Sequence, residues 1–294
     1  MSPKHTIYCL GEVLLALDAD TPLAHAESFR PRLGGDAAVL AQACAAQGGC
    51  ASLLAQLGED PFGQRAASTL AAAGVDTTHA SFSRTLPTAL LFEAGGEALS
   101  YRGRTAGLQF APEQLEPGLF QPGDALLFAS SGLCDSPLRY THLAALTAAR
   151  DAGALTCFVP CLEPALWPKP EGEAALREVT RQLLPRADIA LLTTEELEFL
   201  FGTAEMRVAL FPLLRGHTQL VLLACAEGIH AFTRTNHAFW PGLSLPAPRL
   251  AAKALCCLLQ KNTQLDDADA AGDHLVGPLA EHHCPERLRL ACAS

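Results

Sequence analysis

Short apolar runs alternate with longer segments whose apolar residues recur every three or four positions along most of this chain. The short runs predict buried strands, and the longer amphipathic segments predict helices. In the second half the predicted strands are DALLFAS, ALTCFVP, DIALLT and QLVLLAC, and the helices between them are PLRYTHLAALTAARDAG, EGEAALREVTRQLLPRA and TEELEFLFG. This alternation is typical of a parallel sheet covered on both faces, in which ligands bind at the carboxyl ends of the strands.

The first half follows the same alternation until a hairpin signal interrupts it. TIYCLGEVLLAL and ASLLAQLG predict one strand each, and AAVLAQACAAQGG and PFGQRAASTLAAAGV predict helices that end at glycines. TALLFEAGGEALSYRG predicts two strands joined at Gly95-Gly96. We therefore expect a single α/β domain over residues 1–294, with a small β-sheet lid built from about 14–34 and 82–104.

Composition and charge exclude several classes of protein. About half of the 294 residues are apolar, so a large core can form, and the formal net charge of −10 argues against nucleic-acid binding. The longest apolar runs are too short to cross a bilayer. The eleven cysteines form no Cys-x-x-Cys pair, which disfavours a structural zinc site and predicts reduced thiols in a cytoplasmic protein.

Four short segments are candidates for chemistry, although each alone has a plain structural interpretation. Gly34-Gly35 precedes a predicted helix, and two glycines let the backbone approach a ligand or simply make a tight turn. The segments GEDPFG and TTEELEFLFG carry residues that cap helices. The two arginines of YRGR (101–104) are either surface charges or contacts to a ligand.

In this order and spacing, the chain resembles the ribokinase/PfkB family of carbohydrate kinases, and most of all its fructokinase-like branch. The resemblance covers nearly the whole chain and is carried by GE (11–12), FRPRLGGDAA (29–38), LGEDPFG to GVDTT (57–78), FVPCLEPALWP (158–168) and ADIALLTTEELEFLFG (187–202). It implies a ribokinase-like, doubly wound, mostly parallel sheet with helices on both faces and a small β-sheet lid. It also implies ATP-dependent phosphorylation of a sugar hydroxyl with Mg²⁺, and a homodimer formed through the lid.

The family's catalytic motif is replaced here. Members carry Asp-Thr-Thr-Gly-Ala-Gly-Asp at a strand-to-helix turn, where backbone N–H groups hold the phosphoryl charge and the last Asp accepts the sugar proton. In the matching stretch, 247–253, Leu250, Ala251 and Ala252 stand at the anion-hole positions and Lys253 stands at the base position. A lysine is cationic at neutral pH and accepts no proton unless it is strongly desolvated.

The sugar-side positions implied by the resemblance are partly retained. Gly34 and Gly35 match the Gly-Gly motif, and Arg102 stands among the positions expected to face the sugar. Ala16 replaces the sugar-binding Asp of the family, and Val39 replaces the Asn of the Gly-Gly motif. Both replacements remove a hydrogen-bonding group.

The metal and nucleotide positions also depart from the family pattern. Glu196 matches the Glu of the Asn-x-x-Glu motif that belongs to the metal network, but Thr193 replaces its Asn. Val159, Cys161 and Glu163 replace an Asp-x-Asn-x-Arg stretch, so an acidic side chain stands where the family places an arginine. These departures predict weak or absent ATP binding.

We therefore expect an impaired or inactive relative of the sugar kinases that keeps the fold as a small-molecule binder or as a partner subunit. One alternative is an active fructokinase-like kinase, because DADAAGDHLVG (267–277) also resembles the missing motif and would make Asp273 the base. The other alternative is a non-catalytic interaction protein.

Overall fold

The computed structural model describes residues 5–163, 166–167, 172–203 and 205–261. Its strands are, in chain order, β1 (Thr6–Leu10), β2 (Leu14–Asp18), β3 (Arg30–Gly34), β4 (Cys50–Leu54), β5 (Gln56–Gly58), β6 (Ser81–Ser83), β7 (Ala89–Ala94), β8 (Glu97–Tyr101), β9 (Ala125–Phe128), β10 (Leu155–Phe158), β11 (Ile189–Thr193), β12 (Leu220–Cys225), β13 (Gly228–Phe232) and β14 (His237–Pro241). Its α-helices are α1 (Asp36–Ala46), α2 (Pro61–Ala72), α3 (Pro137–Asp151), α4 (Gly172–Leu183), α5 (Thr194–Phe201), α6 (Met206–Arg215) and α7 (Ala247–Lys261).

An eight-stranded sheet forms the centre of the fold, in the order β14-β13-β12-β11-β10-β9-β1-β4. The strands from β12 to β4 run parallel, and β13 and β14 add an antiparallel hairpin at one edge. The apolar runs of β9 to β12 are buried because helices cover both faces, with α1, α2 and α7 on one side and α3 to α6 on the other. This arrangement confirms the doubly wound fold that the sequence predicts.

A smaller four-stranded sheet, in the order β3-β2-β7-β8, lies apart from the large sheet. Its strands fall within the segments 14–34 and 82–104, from which the sequence predicts the lid; closure of this sheet as a lid stays a prediction. Side chains alternate across it. One face carries Leu14, Ala16 and Leu91, and the opposite face is apolar and carries Leu15, Leu17, Leu33, Leu90, Phe92, Leu99 and Tyr101.

Two segments that we predicted as single strands are each divided in the structure. TIYCLGEVLLAL breaks at 11–13, so that β1 belongs to the large sheet and β2 to the small one. The break places Glu12 in the interior with no exposed surface, where it forms an ion pair with Arg102. ASLLAQLG breaks at Ala55, and β5 leaves the large sheet to pair with β6. The sequence analysis also did not predict β3, α6 or the β13–β14 hairpin.

The chain crosses between the small sheet and the rest of the fold four times, and each crossing is held by a buried or partly buried contact. Glu12 lies in the first crossing, Gly35 in the second, Thr88 in the third and Arg102 in the fourth. At the third, the Thr88 N–H donates to Asp60 Oδ2 at 2.7 Å, and the other oxygen of Asp60 caps the start of α2. The position of the small sheet over the large one is therefore fixed at its base.

Candidate functional site

A pocket of about 690 Å³ lies between the small sheet and the loops at the carboxyl ends of the central strands. This is the edge at which parallel α/β sheets bind their ligands. The small sheet supplies Leu14, Arg32, Gly34, Leu91 and Glu93; the start of α1 supplies Gly35, Asp36, Val39 and Leu40; the segment after β10 supplies Cys161, Leu162, Glu163 and Leu166; the start of α5 supplies Thr193, Glu195, Glu196 and Phe199; and α7 supplies Ala247 and Pro248.

The Gly34-Gly35 turn brings α1 to the pocket, as the sequence analysis expects of it. Gly35 precedes the first residue of α1 and has a φ of 88°, a value that side chains other than glycine rarely adopt. A Cβ at this position would lie 2.4 Å from the carbonyl oxygen of Glu12 and 2.9 Å from Cα of Val13. The turn therefore requires glycine both for its backbone conformation and for close packing against the loop between β1 and β2.

Asp36, the residue that follows this turn, lines the pocket and was missed by the sequence analysis. Its Oδ2 accepts a hydrogen bond of 2.9 Å from the backbone N–H of Ser131. Burial raises the pKa of Asp36 to about 6, and the hydrogen bonds from Ser131 and the charge of Arg102 oppose that shift. A carboxyl group directly after a Gly-Gly turn, in the first turn of a helix, was the signal that could have revealed it.

Arg102 does not line the pocket, although the resemblance places it on the sugar side. Its guanidinium is buried behind the pocket wall, where Nη2 lies 2.5 Å and Nε 2.9 Å from Oε2 of Glu12. It also donates to the carbonyl oxygens of Ser131, at 2.8 Å, and of Leu166. Burial raises the pKa of Glu12 and the charge of Arg102 opposes that effect. In the described structure Arg102 thus joins the two sheets rather than facing a ligand.

Ala16 and Val39 are apolar where the resemblance implies polar groups, and of the two Val39 lines the pocket. Ala16 is fully buried in β2, next to Gly34: a Cβ added to Gly34 would lie 3.5 Å from the Cβ of Ala16. Val39 lies one turn after Asp36 on α1 and lines the pocket, with 38% of its surface exposed. An exposed valine in a pocket provides contact area but no hydrogen bond.

Thr193 and Glu196 form a capping box at the start of α5. The hydroxyl of Thr193 accepts from the N–H of Glu196 at 3.2 Å, and Oε2 of Glu196 accepts from the N–H of Thr193 at 2.9 Å. Oε1 of Glu196 accepts from the N–H of Leu162 at 3.2 Å. Burial raises the pKa of Glu196, and these hydrogen bonds oppose the shift. The retained Glu therefore ties α5 to the segment after β10, and both of its oxygens already have a donor.

The charged groups that line the pocket are mostly acidic. Arg32 is the basic side chain of the lining, and it is paired with Asp18 at 2.9 Å and with Glu93. Partial desolvation raises the pKa of Glu163; the charge of Glu93 raises it further, and Arg32 lowers it. Of the other two replaced positions after β10, Val159 is buried in the core and Cys161 lines the pocket with a φ of 46°.

Helix α7 reaches the pocket with its first two residues, and not with the anion-hole positions 250–252. Ala247 and Pro248 line the pocket. Leu250, Ala251 and Ala252 are fully buried in the core, and the N–H of Leu250 already donates to the carbonyl oxygen of Pro246 at 3.0 Å. Lys253 is partly exposed and does not line the pocket. Asp273, the alternative base, lies outside the described residues.

The described part of the chain contains no group of three or more His, Cys, Asp or Glu side chains that could hold a metal ion. It also contains no helix that is long and apolar enough to span a membrane.

This chain belongs to the pfkB family of carbohydrate kinases, whose profile matches residues 4–245. Together with the fold and the pocket at the edge of its sheet, this match confirms the resemblance seen in the sequence. The matched range includes both sheets and stops before α7.

Relatives and solved structures agree with this assignment. The chain is 30% identical over 291 residues to fructokinase-1 of Zea mays, with 95% of this chain and 83% of that protein covered. It is 30% identical over 245 residues to a probable fructokinase-2 of Arabidopsis thaliana, covering 80% and 73%. The crystal structure of a fructokinase from Xylella fastidiosa superposes with a TM-score of 0.81 at 28% identity, covering 94% of this chain and 90% of that one.

Proposed function

We propose that this chain binds a small polyol in the pocket between its two sheets and that it transfers no phosphoryl group from ATP at an appreciable rate. The observation that carries the proposal is the shortage of free backbone N–H donors at the start of α7. Phosphoryl transfer in such a site relies on free backbone N–H groups at a helix start and on a nearby base. The start of α7 offers few such donors, and Lys253 stands at the base position that the resemblance implies.

The donors at the start of α7 are depleted by sequence and by hydrogen bonding. A helix start leaves about four N–H groups without a partner within the helix. Here Pro246 and Pro248 have no N–H, so that Ala247 and Arg249 alone offer a free donor among residues 246–249. The N–H of Leu250 is already used. A negatively charged phosphoryl group would therefore find half of the usual donors.

The charges of the pocket lead to the same conclusion. Carboxylates outnumber basic groups in the lining, and Glu163 stands where the resemblance places an arginine. Like charges a few ångströms apart repel strongly when they are partly desolvated. A triphosphate with its magnesium ion is therefore a poor match to the described residues, whereas an uncharged polyol fits their volume and polarity.

Calorimetry and a coupled kinase assay test the proposal together. We expect a hexose such as D-fructose to bind, MgATP to bind weakly or not at all, and ADP release to stay at background. The fructokinase from Xylella fastidiosa, of which a structure with bound ATP is known, provides the positive control. Robust ADP release that is lost in Asp273→Asn would overturn the proposal and establish the alternative base. Failure of any polyol to bind would overturn the binding role.

We propose further that two copies pair through the small sheet. Its face opposite the pocket is apolar, and Leu99 and Tyr101 at its edge are 47% and 59% exposed. Phe92 packs edge-to-face against both Phe29 and Tyr101, which gives this face an aromatic centre. Exposed apolar strands of this kind are commonly covered by association. Sedimentation should give a dimer, and Tyr101→Lys should shift it to a monomer; a wild-type monomer at micromolar concentration contradicts the pairing.

A further inference from the structure

We propose that Asp36 is the carboxylate that anchors the polyol in this pocket and that it selects a ligand carrying an amino group over a neutral or phosphorylated one. This inference rests on the proposed polyol-binding function. It assigns the central polar contact to the residue that follows the Gly34-Gly35 turn and names the class of ligand.

The position of Asp36 follows from the Gly34-Gly35 turn. The turn packs the loop between β1 and β2 against the start of α1, so the first residue of α1 is placed at the pocket wall. Asp36 and Val39 are three residues apart on this helix, and both line the pocket, so they share one face. Asp36 thus supplies a polar group on the face where Val39 carries none.

The carboxylate of Asp36 is held in place but not saturated. Oδ2 accepts from Ser131 N–H at 2.9 Å, and the side chain of Ser131 also lowers the pKa of this carboxyl by hydrogen bonding. Ser131 is itself fixed from behind, because its carbonyl oxygen accepts from Arg102, which is paired with Glu12. An ionised carboxylate can accept about four hydrogen bonds, so Asp36 keeps acceptor capacity for a donor on a ligand, either a hydroxyl or an ammonium group.

The surrounding charges decide between these donors. Besides Asp36, the pocket is lined by Glu93, Glu163, Glu195 and Glu196, while the charge of Arg32 is shared between Asp18 and Glu93. An ammonium group beside Asp36 gains from this excess negative charge, and a phosphate loses by it. A hydrogen bond to a charged group is also stronger than one between neutral groups.

Three probes that differ at a single carbon test the proposal: D-fructose, 1-amino-1-deoxy-D-fructose and D-fructose 1-phosphate. By calorimetry on the full chain we expect the amine to bind most tightly and the phosphate most weakly. Asp36→Asn keeps an acceptor for Ser131 N–H but removes the charge, and it should weaken binding of the amine by about 10-fold or more. Asp36→Ala gives a second measurement of the same loss, and thermal unfolding shows that each variant is folded.

A matched control separates the local contact from the general loss of one negative charge. Glu178→Gln on α4 removes an exposed carboxylate that does not line the pocket. The affinities of this variant for the three probes should therefore stay within about 2-fold of wild type. Equal affinity of wild type and folded Asp36→Asn for the amine overturns this inference and leaves the proposed function intact. Tightest binding of the phosphate overturns the charge selection, and a wild type that binds none of the three overturns the proposed function itself.

Discussion

The two ends of helix α1 allow a test of how tightly the turn beside the pocket is packed. Gly35 at its start and Gly48 just after its end both have positive φ, 88° and 77°. A Cβ at Gly35 would lie 2.4 Å from a backbone oxygen of Glu12, whereas a Cβ at Gly48 would have no neighbour within 4 Å. Both Gly35→Ala and Gly48→Ala impose a conformational cost, but only the first adds a backbone overlap, and Gly35, with a ψ of 143°, also lies close to a region that is essentially restricted to glycine.

The size of the difference can be worked out from these contacts. An L-residue in the left-handed region costs about 1–2 kcal/mol, which is the whole expected effect of Gly48→Ala. Overpacking against backbone that cannot move aside adds about 1–3 kcal/mol. We thus expect Gly35→Ala to lower the free energy of unfolding by about 2–5 kcal/mol.

Urea unfolding followed by circular dichroism measures both variants against wild type. The midpoint should shift much further for Gly35→Ala, with the denaturant dependence unchanged if the unfolding remains two-state. Gly35→Ala should also weaken polyol binding, because it displaces Asp36, while Gly48→Ala should not. Equal destabilisation of the two variants would refute the reasoning, since it would mean that the loop at Glu12 yields without cost.

Three other predictions concern individual side chains. Arg102→Met leaves the buried carboxylate of Glu12 unpaired and should lower the free energy of unfolding by about 3–5 kcal/mol in urea; a loss below about 1 kcal/mol contradicts a structural role for the pair. Burial raises the pKa of Asp36 to about 6, so the folded state binds this proton more tightly than the unfolded state, and stability should fall as the pH rises from about 4 to about 6. Urea titrations at the two ends of this pH range should show that Asp36→Asn removes up to about 3 kcal/mol of the fall in the free energy of unfolding. An identical pH dependence in wild type and variant would refute the raised pKa of Asp36. Lys253→Asp should leave ADP release at background because the helix start still lacks donors, and turnover in this single variant would contradict the position we give to α7.

Strands β9 to β12 of the large sheet were predictable because local pattern and burial agree there. The apolar runs of β9 to β12 are buried on both faces, so their sequences carry little else than strand-forming apolar residues. The capping box of Thr193 and Glu196 was likewise visible, since both partners lie within one helical turn. Such signals depend on neighbours in sequence.

The features that the sequence analysis missed depend on partners far along the chain. Glu12 breaks an apolar run, but only the ion pair with Arg102, 90 residues away, explains why the chain leaves the large sheet there. Asp36 resembles an ordinary first-turn acid until Ser131 and the pocket are placed around it. The contact between the start of α7 and the pocket could not be predicted either, because it depends on which turn of the helix meets the pocket.

The contacts at the four crossings also determine how the small sheet can move. Glu12 and Arg102 join the first crossing to the last, and the Gly35 turn packs on the same loop at Glu12, so three of the crossings are fastened to one another. Sliding of the small sheet across the pocket would separate a buried ion pair. Rotation about the line through these crossings leaves the pair intact. These contacts therefore predict that the small sheet moves by rotation about an axis close to Asp36, with the largest displacement at the β7–β8 turn.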